Sequence, residues 1–136
     1  MSQPKKVLFT GKTHTNRASA NGSGDAHSSD GFLDIKLPQS HPEAENLFGV
    51  AWSACYMGAL ERAAAEKKIK LSLPIAVDAQ IDLNLLDGAF FLSARLDVNL
   101  PGVDRAVGEE LIQAAHGICP YSKAVHGNIA VETSLI

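Results

Sequence analysis

No stretch of this 136-residue chain is long and apolar enough for a membrane-spanning helix. The longest uncharged, mostly apolar run covers residues 47–60, short of the roughly 20 residues a span needs. Positive charge is also in short supply: 12 Lys and Arg stand against 15 Asp and Glu, a net charge of −3. The basic residues are scattered apart from Lys67, Lys68 and Lys70, so a nucleic-acid role has no electrostatic support. The polar N-terminus, residues 1–6, leads into only a short apolar stretch and does not resemble a secretory leader, so a cytoplasmic protein is expected. Glycine-rich phosphate loops are missing as well, since the segment 21–24 (Asn-Gly-Ser-Gly) lacks a following helix and lysine. None of the five histidines, His14, His27, His41, His116 and His126, has a metal-ligand spacing with a cysteine, so no metal or other cofactor is expected.

What remains is ordinary globular composition, 46% hydrophobic and 20% charged, in a length that fits one domain spanning 1–136. Short β-like pieces occur at 7–10 and 13–19, and the Gly-, Ser- and Asn-rich stretch 20–31 has loop composition. Residues 32–37 alternate as a strand, with Leu33, Ile35 and Leu37 on one face, and Pro38 ends it. Ser40 and Glu43 have the spacing of a capping box, which opens a helix running to about Lys67. Its centre carries Gly49, Ala51, Ser53, Ala54, Gly58 and Ala59, and small residues on several faces mark a central helix approached from several sides. Two alternating runs, 77–85 and 92–100, flank Asp87-Gly88 and predict a hairpin with one buried and one wet face. Asp104 caps a second helix, about 105–118, with Val107, Leu111, Ala114 and Ala115 inward. Cys119-Pro120 breaks that helix, a short helical turn restarts at Pro120, and 128–134 reads as a last strand. Local strand pairing with few helices points to an α+β fold with antiparallel sheets.

The chain has two cysteines, Cys55 inside the apolar run of the long helix and Cys119 at the helix break. A buried cysteine is usually an inert small hydrophobe, and apolar surroundings raise a thiol pKa. Should the two meet, they supply one thiolate to attack and one thiol to resolve. Glu45 lies ten residues before Cys55, about 15 Å along one helix, so it reaches that site only from another helix or a second subunit. The default reading of Glu45 is a surface solvated residue near the helix start, where acids are favoured by the helix dipole.

Three segments, 45–60 (Glu-Asn-Leu-Phe-Gly-Val-Ala-Trp-Ser-Ala-Cys-Tyr-Met-Gly-Ala-Leu), 119–129 (Cys-Pro-Tyr-Ser-Lys-Ala-Val-His-Gly-Asn-Ile) and 28–37, resemble the organic hydroperoxide resistance branch of the OsmC/Ohr family in order and spacing. The resemblance implies an intertwined homodimer in which antiparallel sheets from both chains surround two central helices. It implies a peroxidase that reduces alkyl and fatty-acid hydroperoxides to alcohols. Cys55 would be the attacking thiolate, Cys119 the resolving thiol that closes a disulfide, and Glu45 would serve the site across the interface. Phe48, Trp52, Tyr56 and Met57 would shape an apolar substrate mouth, although the same four fit a plain core. A lipoylated protein, or another dithiol, would reduce the disulfide. One departure stands out: the family's arginine ahead of the third strand falls on Asp25, and an acid near a thiolate raises its pKa. Arg17 is the substitute within reach in sequence. The alternative reading is therefore a non-catalytic or weakly catalytic protein that binds acyl or other small molecules on the same fold.

Overall fold

A computed structural model describes residues 4–17, 20, 22–38 and 43–136 of the chain. They divide into two compact units, residues 1–44 and 45–136. In the first, β1 (Thr13–Arg17), β2 (Gly24–Ser28) and β3 (Asp34–Leu37) form an antiparallel meander in that order. The segment 20–31 is thus more than a loop, because β2 lies within it. Gly, Asp and Ser conceal a central strand whose backbone is paired on both sides and whose Ala26 is buried. Residues 7–10 form no strand, and Val7, Leu8 and Phe9 are exposed. Apolar β-formers do not make a strand without a neighbour to complete the ladder. Chain turning delays β3 to Asp34: the Leu33 N–H donates to the Ser28 hydroxyl at 3.0 Å and the Phe32 N–H to the Asp30 carboxylate at 3.1 Å. Ser40 of the expected capping box lies outside the described residues.

The second unit contains α1 (Ala44–Glu66, beginning one residue early), β4 (Ala76–Leu86), β5 (Ala89–Asn99), α2 (Arg105–Ile118), α3 (Pro120–Val125) and β6 (Ala130–Leu135). The hairpin β4–β5 turns on Asp87 and Gly88, both at positive φ (52° and 79°), which is the two-residue turn whose twist matches the strands. The β4-β5-β6 sheet departs from the antiparallel rule in one pair, since β6 runs parallel to β5. The long return through α2 and α3 makes that parallel pairing accessible. Asp104 sits at the N-cap of α2, but its side chain makes no cap hydrogen bond. The inward face of α2 is Gly108, Leu111, Ile112 and Ala115, at the spacing of one helical stripe.

The core lies where α1, α2 and β5 meet: Trp52, Tyr56 and Leu60 pack with Leu96, Val98, Leu111 and Ile112, all fully buried. Each such side chain contributes roughly 1.5–3 kcal/mol by leaving water. Burial fades along the hairpin. β6 pairs only with Ser93–Val98, and beyond it Leu83, Leu85, Leu86, Phe90 and Phe91 are exposed. Val50 on α1 is exposed too.

In the N-terminal meander, a Cβ at Gly24 would lie 1.9 Å from the Asn16 carbonyl oxygen, so β1 and β2 close only over glycine. Gly24→Ala is expected to destabilise the protein by about 1–3 kcal/mol. A denaturant melt measures this, and an unchanged midpoint would contradict the close approach.

Candidate thiol site

Cys119 closes α2 and opens α3. Its backbone N–H donates to the Ala115 carbonyl at 2.8 Å, its own carbonyl accepts from the Lys123 N–H at 3.1 Å, and its backbone is extended (φ −66°, ψ 118°). Pro120 enforces that geometry, because the residue before proline avoids helical angles. The turn aims the Cys119 side chain into the core, where it is fully buried. Cys55 sits on α1, half-buried.

The two thiols meet. Cys119 is within hydrogen-bonding reach of Cys55, both are reduced, and the backbone N–H of Tyr121 also donates to the Cys55 sulfur. Burial pushes the Cys55 thiol above its ordinary pKa, Cys119 pushes the same way, and the Tyr121 N–H acts in the opposite, smaller sense. Among the described residues, no cation acts on Cys55. Tyr56 has its hydroxyl pushed upward, first by burial and then by Cys119, and donates to the Ile112 carbonyl at 2.6 Å.

The other residues singled out in the sequence fall in different places. Trp52 and Tyr56 are core residues, fully buried, while Phe48 is partly buried and meets Trp52 edge-on at 5.8 Å. Glu45, in the first turn of α1, lines a groove of about 470 Å³ between α1 and β4 with Gly49, Met57, Ala79 and Ile81. A Cβ added at Gly49 would make only ordinary van der Waals contact with Ala79 and Ile81, at 3.5 Å. Within this chain the groove does not include Cys55. Arg17 ends β1 opposite Gly24, and the Asp25 carboxylate accepts from the Asn16 amide at 2.8 Å. No three His, Cys, Asp or Glu among the described residues are placed to hold a metal ion, and no described helix is long and apolar enough to cross a membrane.

The sequence reading missed two features of the site. One is the Tyr121 backbone N–H, which has no side-chain signature. The other is a buried polar chain. The Trp52 indole N–H donates to the Ser122 hydroxyl at 3.0 Å, Ser122 meets His116 Nδ1 at 2.9 Å, and His116 Nε2 meets the Thr133 hydroxyl at 2.8 Å. The His116 ring stacks at a tilt on Tyr56, 4.8 Å between centroids, and burial lowers its pKa, which favours the neutral imidazole. These groups wall a pocket of about 610 Å³ with Gln113 and Val131.

The family model "OsmC-like protein" matches residues 37–134. The organic hydroperoxide resistance protein of Xanthomonas axonopodis pv. citri (strain 306) is 34% identical over 144 residues, covering 99% of each chain. The organic hydroperoxide resistance protein OhrB of Bacillus subtilis (strain 168) is 37% identical, covering 95% of this chain and 98% of its own. The crystal structure of Bacillus subtilis OhrB superposes with a TM-score of 0.79 at 35% identity, over 96% of this chain and all of that one. With this family match over residues 37–134, full-length relatives at 34–37% identity and a matching solved fold, the chain belongs to the OsmC/Ohr family, on its organic hydroperoxide resistance branch.

Proposed function

We propose that this protein is a thiol-dependent peroxidase that reduces alkyl or fatty-acid hydroperoxides to alcohols. The observation that carries the reading is that the Cys55 and Cys119 thiols lie within hydrogen-bonding reach of each other in a chain of this family. The Cys55 thiolate attacks the outer peroxide oxygen, the O–O bond breaks, and the leaving alkoxide takes a proton as the alcohol. Cys55 is left as a sulfenic acid. The Cys119 sulfur then attacks the Cys55 sulfur. The S–O bond breaks, water leaves with the thiol proton, and the disulfide stands. A dithiol, such as that of a lipoylated protein, returns both sulfurs to thiols in the cytoplasm.

The working form in this reading is a homodimer. Its support is the apolar surface that a single chain leaves uncovered, Val50 on α1 and the outer half of the β4–β5 hairpin. A second copy would bring Glu45 to a thiol that the same chain's acid, about 15 Å away along α1, does not reach. Arg17 is then the cation that ionises Cys55, and Phe48 and Met57, at the edge of the core that Trp52 and Tyr56 fill, face an alkyl substrate.

A second reading has a specific observation in its favour. The surroundings of Cys55 raise its pKa, and Asp25 stands where the resemblance places an arginine. A protein that binds acyl or other small molecules without turning them over would have such a thiol. The sign separates the two: a raised pKa leaves Cys55 protonated and slow to alkylate at neutral pH, whereas a peroxidase needs a midpoint below about 8.5. Alkylation rate against pH measures the midpoint directly.

Cys55→Ser is expected to abolish consumption of cumene or fatty-acid hydroperoxide with dihydrolipoamide as reductant. Cys119→Ser is expected to reduce one equivalent and then stop. Turnover retained by Cys55→Ser would end the peroxidase reading. Arg17→Ala is expected to raise the Cys55 midpoint and slow the first reduction roughly tenfold, as loss of one opposing charge does. An unchanged midpoint would remove Arg17 from the site.

A further inference from the structure

α1 meets α3 and its N-cap at two heights. Cys55 is within hydrogen-bonding reach of Cys119 and of the Tyr121 backbone N–H; one helical turn earlier on α1, Trp52 donates to Ser122, three residues after Cys119, at 3.0 Å. α3 has six residues, too few to be stable alone, so its orientation is set by what holds it. Ser122 is its one buried residue. Val125 packs partly buried against the core, but the buried tie is a hydroxyl, and the same hydroxyl is held from α2 by His116, itself fixed to Thr133 on β6. α1 and α2 thus converge on one oxygen of α3 next to the resolving cysteine, and β6 joins them through the far nitrogen of His116.

We propose that Ser122 and His116 are positioning residues that hold Cys119 in disulfide register with Cys55. A disulfide forms only when the two Cα atoms come within a narrow range of separation, about 4.4–6.8 Å, with the side chains directed at each other. Cys119, at the N-cap of α3, moves with that turn. Cutting the Ser122 rung also leaves the Trp52 N–H and a His116 nitrogen in a buried place without their partner, which drives local repacking around the turn. The consequence concerns the second chemical step. Peroxide attack uses Cys55 alone, whereas closure needs Cys119 in place. A late resolving thiol leaves the sulfenic acid open to a second hydroperoxide, which transfers another oxygen to sulfur, giving a sulfinic acid and a further alcohol.

This inference rests on the peroxidase reading for its consequence, but the register itself is testable without it. The full-length protein is reduced, freed of reductant and oxidised in two ways: with cumene hydroperoxide, and with diamide, whose N=N bond is reduced to a hydrazine as the two thiols join. Quenching by alkylation and intact mass then count thiol, sulfinic acid and disulfide with time. Ser122→Ala is expected to close the disulfide about tenfold more slowly with both oxidants, and to shift product toward sulfinic acid under excess hydroperoxide, with the first oxidation of Cys55 unchanged. Ser122→Thr, which keeps the hydroxyl, is expected to restore closure, and His116→Phe to slow it. Thermal melts confirm that each variant is folded. A folded Ser122→Ala protein that closes at the wild-type rate with diamide overturns the proposal. Wild-type closure with diamide but not with hydroperoxide instead overturns the peroxidase reading, while a slow Ser122→Ala in the diamide arm still supports the register.

Discussion

Trp52, Tyr56 and Leu60 project from one side of α1 into a core completed by Leu96 and Val98 of β5 and by Leu111 and Ile112 of α2, and none of these side chains touches water. Two of the three α1 residues are polar at their tips. A dry core requires those tips to find partners, and they do: the indole donates to Ser122 and the phenol to the Ile112 carbonyl. Those two bonds pin α1 to α3 and to α2 at defined heights. Cys55 lies between Trp52 and Tyr56 in sequence, so the height of its sulfur opposite Cys119 follows from bonds it does not make.

Burial and reactivity pull against each other at that sulfur. The packing that places the thiols together removes water, and water is what would solvate a thiolate. Inside the described chain the only group acting in favour of the charged form is a single backbone N–H, from Tyr121. The difference between a peroxidase and a binding protein on this scaffold is therefore one of charge supply, not of shape. Shape is settled by the core, and charge is what the core does not supply.

The uncovered apolar surface belongs to the same economy of design. The outer half of the β4–β5 hairpin extends past the end of β6, so its Leu and Phe side chains have sheet on one side and solvent on the other. One exposed leucine is unremarkable, but several contiguous ones on a hairpin are the mark of an interaction surface. A second copy covering it would bring new groups to α1 without altering the core that holds the cysteines.

Local signals determined much of this protein. The alternation of 77–85 and 92–100 around Asp87-Gly88 specifies the hairpin and its turn, because period-two burial and positive φ are properties of adjacent residues. The stripe Val107, Leu111, Ala114 and Ala115 marks α2 and its inner side, on which the structure buries Gly108 and Ile112 as well, and Cys119-Pro120 specifies its end. The two cysteine frames carried the family. Other features depended on partners distant in the chain. β2 looks like a loop because a central strand can be held by its neighbours' backbones whatever its side chains, and residues 7–10 look like a strand but have no pairing neighbour among the described residues. β6 chose a parallel partner through a long crossover that no local pattern records. Above all, the meeting of the thiols, the Tyr121 N–H on Cys55 and the chain from Trp52 to Thr133 join residues separated by up to 70 positions. Sequence decides which side chains are available; only the tertiary structure decides which of them share a dry core, because burial, and the obligation to satisfy polar groups there, is a property of the whole fold.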